Sequence, residues 1–362
     1  MRPLDPCYRR AAPGERPAFV SGAPLTGART PGVYALSMHA RLRSAVLLLA
    51  LAPVAPPTPA SAQEVKLAYK WTQGETARYR MLQQTTSTIG GLPGGSPDVT
   101  VEQETDQVFR ATVESVAPDG TTVLREVMES MRMKVESPMG KIAFDSASKS
   151  APSGNPAEAA IANVFSALIG ESFLVTLAPT GAVQKVDGFS RIMENVLKKM
   201  PPGAAGPMFE GIKASLNDDA IKNMFAQSFM QFPDRALKAG ETWETRLTVP
   251  NPVLGGILTT STSTLTAVDQ AGGAQIAKIA TKLAIARDPS APPPPGPMGM
   301  KTDLQPSSGD GEVLFDVGKG RLQRGLTRLT IPMTMTGTGP DGAAINMQTN
   351  ARTTLTLELI EK

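Results

Sequence analysis

The sequence predicts an α+β fold: a large, strongly curved antiparallel β-sheet, half-barrel-like, with a mid-chain helical block packed on its concave face. Three observations carry this. Two Thr-rich regions, 63–150 and 238–362, consist of long alternating runs broken by Gly and Pro turns, the pattern of an antiparallel meander. Between them, residues 155–232 switch to helical periodicity. That block holds seven of the eleven Phe residues, so it supplies most of the bulky apolar surface that the strands bury against.

In the first β region, residues 65–71 (VKLAYKW) alternate as a strand and 76–89 form a second, rich in Thr and Gln. Residues 90–97 (GGLPGGSP) make a hairpin tip, 99–116 a long strand, Pro118-Asp119-Gly120 a turn, and 121–136 the return strand. A turn at Pro138-Met139-Gly140 leads into 141–146.

The first helix opens at Asn155-Pro156-Ala157-Glu158, with Asn as N-cap, Pro at the first helical position and Glu at N3. Ile161, Val164, Phe165 and Leu168 give it one apolar face, and Gly170 ends it. Residues 171–186 read as two short strands around Pro179-Thr180-Gly181. The second helix covers 187–200, with Phe189, Ile192, Met193, Val196 and Leu197 on one side and Pro201-Pro202 as its stop. The third starts near Asn217-Asp218-Asp219, carries Ile221, Met224, Phe225 and Phe229, and closes at Pro233.

The second β region enters at Gly240-Glu241-Thr242-Trp243. Strands are expected at 258–268, 274–287, 312–317, 321–338 and 343–360, with 289–311, which contains Pro292-Pro293-Pro294-Pro295, as a flexible loop. The two regions echo each other: Gly74-Glu75-Thr76 matches Gly240-Glu241-Thr242, and Gly181-Ala182-Val183-Gln184-Lys185 matches Gly320-Arg321-Leu322-Gln323-Arg324. An internal duplication and the reuse of common turns both account for this.

The first 62 residues read as a leader. Residues 1–37 are a disordered leader or a mis-called start, Met38 being an alternative to Met1. Residues 38–62 have the layout of a signal peptide: a basic stretch with Arg41 and Arg43, a short apolar run at 45–52, and an Ala60-Ser61-Ala62 cleavage site before Gln63. The expected location is therefore periplasmic or secreted, with a single α+β domain over 63–362. The whole chain carries 36 basic and 33 acidic residues; the leader holds seven and two of these, which leaves 29 against 31. No basic stripe remains for nucleic acid, and no nucleic-acid partner is expected.

The lone cysteine, Cys7, and the lone histidine, His39, both precede the cleavage site. Downstream of it there is no thiol or imidazole for nucleophilic catalysis or for a zinc or haem site. Ser146-Ala147-Ser148-Lys149 fits the serine–lysine spacing, but Pro152 follows and the companion motif is missing. Asp310-Gly311-Glu312 and Asn217-Asp218-Asp219 lack calcium-loop spacing. No enzyme activity, catalytic residue, cofactor or metal is expected. Three M-x-M pairs (Met131/Met133, Met298/Met300, Met333/Met335) place both thioethers on one strand face, which suits core filling, an apolar-ligand lining, or Cu(I).

Three stretches resemble an exported bacterial family of unknown function: Leu67-Ala68-Tyr69-Lys70-Trp71 followed by Gly74-Glu75 and Tyr79; Pro179-Thr180-Gly181-Ala182-Val183 before a helix; and Phe232-Pro233 followed by Gly240-Glu241-Thr242-Trp243. No catalytic motif comes with that resemblance. The expected architecture also resembles the half-barrel of periplasmic lipoprotein carriers, a likeness of fold from which no function is transferred.

These readings converge on a soluble envelope protein, not an integral membrane protein once the signal is removed, that binds a lipid or other apolar small molecule between sheet and helices. The expected lining is Phe165, Leu168, Ile192, Met193, Leu197, Phe225 and Phe229. The alternative is an interaction module that presents its sheet to an envelope protein partner.

Overall fold

The strand and helix order follows the alternation and periodicity of the sequence closely. The computed structural model describes residues 64–92, 96–138, 140–148, 156–199, 218–251, 255–290, 301–338 and 344–360. The leader readings for 1–37 and 38–62, the Asn155 cap, the Pro201-Pro202 stop and the Met298/Met300 pair lie outside these residues. In chain order the elements are β1 (Val65–Lys66), β2 (Thr76–Gly90), β3 (Val99–Val116), β4 (Thr122–Ser137), β5 (Gly140–Asp145), α1 (Pro156–Leu168), β6 (Ser172–Leu177), β7 (Val183–Asp187), α2 (Phe189–Lys199), α3 (Asp218–Ser228), β8 (Ala236–Leu237), β9 (Thr242–Asn251), β10 (Gly255–Ala271), β11 (Ala274–Arg287), β12 (Lys301–Leu304), β13 (Ser307–Asp316), β14 (Arg321–Thr338) and β15 (Ala344–Ile360).

The main sheet runs β7-β6-β4-β3-β2-β15-β14-β13-β11-β10-β9, with β5 on β4 and β12 on β14. Its neighbours pair antiparallel throughout. The two edges, β7 and β9, are not joined to each other, yet α3 packs against both. Laid flat, these strands would separate the edges by roughly 50 Å, whereas a helix is about 10 Å across. The sheet is therefore strongly curved, open, and bridged at its gap by α3.

The path contains a repeat. β2-β3-β4-β6-β7 and β9-β10-β11-β13-β14 follow the same order across the sheet; β15 separates β2 from β14, and α3 takes the corresponding place between β9 and β7. The entry to each half is the same to the level of single hydrogen bonds. The Gly74 N–H donates to the Val113 carbonyl (2.9 Å) as Gly240 does to Leu265 (2.7 Å), and the Val113 and Leu265 amides return to the carbonyls of Glu75 and Glu241. Each Glu side chain accepts a backbone N–H three residues back, from Thr72 and Lys238. A bulge follows in both partner strands, at Val113/Ser115 and Leu265/Ala267. The segments leading into the halves pair with one another through β1 and β8. The weak echo in the sequence is thus a repeated structural unit.

Glycine enforces two of these features. Gly240 (φ 91°) has open space around a notional Cβ, so Gly240→Ala bears only the left-handed backbone penalty, about 1 kcal/mol. At Gly181 (φ 87°) a Cβ would also meet the Met230 carbonyl oxygen and the Tyr69 ring. Gly181→Ala is expected to cost at least about 2 kcal/mol. Urea titration of the two variants separates the effects; equal costs would show that the Gly181 turn is not tightly packed.

Three sequence expectations change. Only Val65–Lys66 of 65–71 is strand. The rest passes between the two equivalent turns, with the Tyr69 amide on the Pro179 carbonyl (2.8 Å) and the Lys70 amide on Gly320 (3.2 Å), because burying Leu67 and Tyr69 takes that backbone off the sheet. The expected loop at 289–311 contains β12 and the start of β13. There Gly309 sits beneath Leu283 and Leu329, and a Cβ would strike the Arg328 carbonyl, so its smallness serves close packing rather than flexibility. Finally, α2 starts at Phe189, after Gly188 (φ 92°), instead of at 187. Its N-terminus is capped from α3: the Ser190 amide and hydroxyl both donate to Asp218 Oδ1 (2.9 and 3.0 Å).

Candidate functional site

The inner face of the curved sheet, the side bearing the core residues, divides along the strands into three zones. At the helix-covered end it is a filled core. Leu67, Leu124, Val175, Leu177, Ile221, Leu265 and Phe315 are almost completely buried. Tyr69 meets Phe229 edge-on (5.8 Å), Phe232 (5.5 Å) and Phe315 (5.5 Å, 85°), while Phe232 and Phe315 lie 4.8 Å apart. The Trp243 indole N–H donates to the Gln231 carbonyl (2.8 Å), fixing the exit from α3.

The residues expected to line a ligand space fall into different surroundings. Ile192 and Met193 are 2% and 3% exposed. Phe225 packs edge-on to Phe173 (5.0 Å), and Phe229 joins the Tyr69 cluster. Leu168 is half-buried against the same core. Phe165 stands apart, against Phe144 of β5 (5.8 Å). The Leu197 side chain lies outside the described residues. The structure therefore joins most of this set into packed core and leaves Phe165 over the β4–β5 margin.

Beyond the core, the inner face carries a band of neutral polar groups. The Thr85 and Thr353 hydroxyls hydrogen-bond across β2 and β15 (3.0 Å), Gln83 and Gln103 donate to Thr85 and Thr105, and Ser263 bonds Thr281 across β10 and β11 (3.1 Å). Further out, apolar side chains return. On β14 and β15 the inward positions include Leu329, Ile331, Met333, Met335, Met347 and Leu355, all half-buried, in clean alternation with exposed polar residues along β15. Ile285 and Leu304 are buried among Ile257, Leu329, Ile331 and Met333 as a second cluster, separate from the main core.

At the border of core and band sits an ionisable group. Glu126 points inward between Ala111 of β3 and Phe173 of β6, is 5% exposed, and has no hydrogen-bond or ion-pair partner among the described residues. Burial alone pushes its carboxyl up to about 7. Tyr79, also inward, is held well above the usual phenol range by burial, partly opposed by Arg321. Arg321 is 8% exposed, stacks over the Trp71 ring (4.6 Å) and pairs with Glu75. The Trp71 indole N–H and Arg321 Nε are buried without partners. The register Leu124-Glu126-Met128 could have revealed Glu126, because an acid there occupies an apolar position of the alternation.

The M-x-M pairs divide likewise. Met131 and Met133 are buried on the inner face; Met333 and Met335 are half-buried there, with Met335 opposite Met347. Among the described residues no group of three His, Cys, Asp or Glu side chains could hold a metal, and no helix is long and apolar enough to cross a membrane.

Comparisons with solved structures give distant likenesses. Lipovitellin, from a study of its lipid–protein interactions, aligns at TM-score 0.41 and 9% identity over 81% of this chain and 26% of its own, so the chain spans about a quarter of that protein. An outer-membrane channel of Pseudomonas putida F1 aligns at TM-score 0.23 and 9% identity over 84% of this chain and all (100%) of its own. DynF from the dynemicin biosynthesis pathway of Micromonospora chersina aligns at TM-score 0.18 and 11% identity, covering 84% and 89%. At these scores none bears on function. No curated protein matches. A family match covers residues 119–312, more than half of the chain, from β4 into β13, and on that basis the protein belongs to the family of unknown function DUF6263.

Proposed function

We propose that this protein is an exported, non-catalytic envelope protein that holds an apolar or amphiphilic molecule against the inner face of its sheet. The observation that carries this is the outer zone of that face. Leu329, Ile331, Met333, Met335, Met347 and Leu355 are half-buried there, and no described helix packs across them. The polar band beside them offers hydroxyls and amides to a headgroup without a charge to repel one. The core-side helices serve as a floor in this reading, and among the expected helix residues whose side chains are described Phe165 stands clear of that floor.

Lipid mass spectrometry on protein purified natively from envelope extracts is expected to find a co-purifying acyl-chain compound. A dansyl-labelled fatty acid should bind the purified protein, and Ile331→Asp should weaken it by about tenfold or more while far-ultraviolet circular dichroism stays the same. A protein that carries no lipid and leaves the probe's fluorescence unchanged refutes the reading, and co-purification of an envelope protein in its place favours the interaction module. N-terminal sequencing of the cellular protein is expected to start at Gln63 if the leader directs export.

A further inference from the structure

The opposite face of the sheet carries a feature that the inner face does not explain. A cleft of about 540 Å³ lies over the outer ends of β2, β15 and β14. Three cross-strand rungs form its floor: Thr86 and Arg352; Thr88, Asn350 and Pro332; Gly90, Gln348 and Thr334. The central strand thus raises Arg352, Asn350 and Gln348 at every second position, between neighbours that are small or short. Gly90 has no side chain, and the Asp98 carboxylate occupies the space one would fill. Gln305, held by its amide on the Pro332 carbonyl and by its side chain on Asp303, forms the other wall.

Arg352 differs from other arginines of the sheet. Arg80, Arg132, Arg324 and Arg328 are each paired with a carboxylate. Arg352 and Asp98 line one cleft, and neither has an ion-pair partner among the described residues. Asp98 lies by the rung of Gln348, four residues along β15 from Arg352, a separation of about 13 Å. A small anion on Arg352 would leave Asp98 unmatched, a small cation on Asp98 would leave Arg352 unmatched, and the lining has no aromatic ring for a sugar or base to stack on.

We propose that this cleft binds a short peptide with free termini, about four residues long. Its carboxylate lies on the Arg352 guanidinium, its ammonium on Asp98, and its central amides on the Asn350 and Gln348 side chains. An extended tetrapeptide spans about 13–14 Å, and an Arg fork suits a carboxylate in two-point contact.

The test is isothermal titration calorimetry of the whole protein with tetraalanine, its N-acetylated form and its C-terminal amide. Tetraalanine is expected to bind, and blocking either end should weaken binding by about tenfold or more. Arg352→Gln should make the free acid and the amide bind alike, and Asp98→Asn should do the same for the free and acetylated amines. Both side chains are exposed, so thermal melts should match the parent's. Absence of binding, or equal binding of the blocked peptides to the parent protein, overturns the proposal. Retention of the acyl probe in both variants keeps this outcome separate from the inner-face reading.

Discussion

Phe315→Ala is expected to lose about 3–5 kcal/mol of folding stability, the largest effect of any single truncation considered. Phe315 is completely buried on the inner face of β13, opposite Ala277 of β11. Its ring touches both Tyr69 of the incoming segment and Phe232 beyond α3. It thus joins β13 of the main sheet to the two segments that form the separate β1–β8 sheet. Deleting it leaves a cavity bounded by elements anchored independently, which cannot collapse together to fill it. Urea denaturation should show a lower midpoint at unchanged slope. Val116→Ala, at the one large apolar side chain that is exposed (37%) among the described residues, should change stability by no more than about 0.5 kcal/mol. A Phe315→Ala loss near that of Val116→Ala would mean that the core is not packed around this ring.

Glu126→Gln is expected to stabilise the protein above neutral pH and to remove a step from its pH dependence. The Glu126 carboxyl titrates at an ordinary 4.5 when unfolded and at about 7 when folded. Between these values the folded state holds the proton and the unfolded state has lost it, so stability falls as pH rises through that window. It is level below the lower value and level again above the upper one. The step is about 3 kcal/mol, the free energy of so large a displacement. Chemical denaturation at about pH 4.5 and about pH 8 in parent and variant reads it directly. The variant should gain most of that amount at the higher pH and nothing at the lower. An unchanged step in the variant would assign the dependence to another group. The same carboxyl lies beside the polar band of the inner face, so an amphiphile with a cationic or hydroxyl headgroup would also perturb its titration.

The strands were legible wherever one face is buried and the other wet. β3, β4 and β15 show that alternation for most of their length, and their boundaries follow within a residue or two. α1 was equally plain, because four apolar residues at helical spacing end at Gly170, whose φ is 82°. Errors arose where the partner was remote in sequence. Residues 65–71 alternate like a strand, but their hydrogen bonds go to turns more than a hundred residues away. Ser307-Ser308-Gly309-Asp310-Gly311 reads as loop by composition, and its pairing with β11 and β14, with Gly309 beneath Leu283 and Leu329, makes it sheet.

The candidate sites follow the same division. Seven apolar helix residues were recognisable by their spacing as an apolar set, yet spacing does not distinguish a lining from a core. Ile192 and Met193 proved to be core because Phe173, Phe225 and their neighbours fill the space around α2. Arg352 and Asp98, without ion-pair partners among the described residues, carry no sequence signal at all, since they stand far apart in the chain and line one cleft only because β15 pairs with β2.

By itself, then, the sequence determined the two β regions, the helical insertion, and the absence of Cys and His beyond His39, because alternation, periodicity and composition are local properties. The tertiary structure decided that the halves are one repeated unit, that α3 bridges the sheet's two edges and that, among the described residues, Glu126 is buried without a partner and no helix covers the outer zone of the inner face. Each of those depends on which strands pair and how far the sheet curves. Both are set by contacts between residues tens to hundreds of positions apart, whose energy no local window of the chain contains.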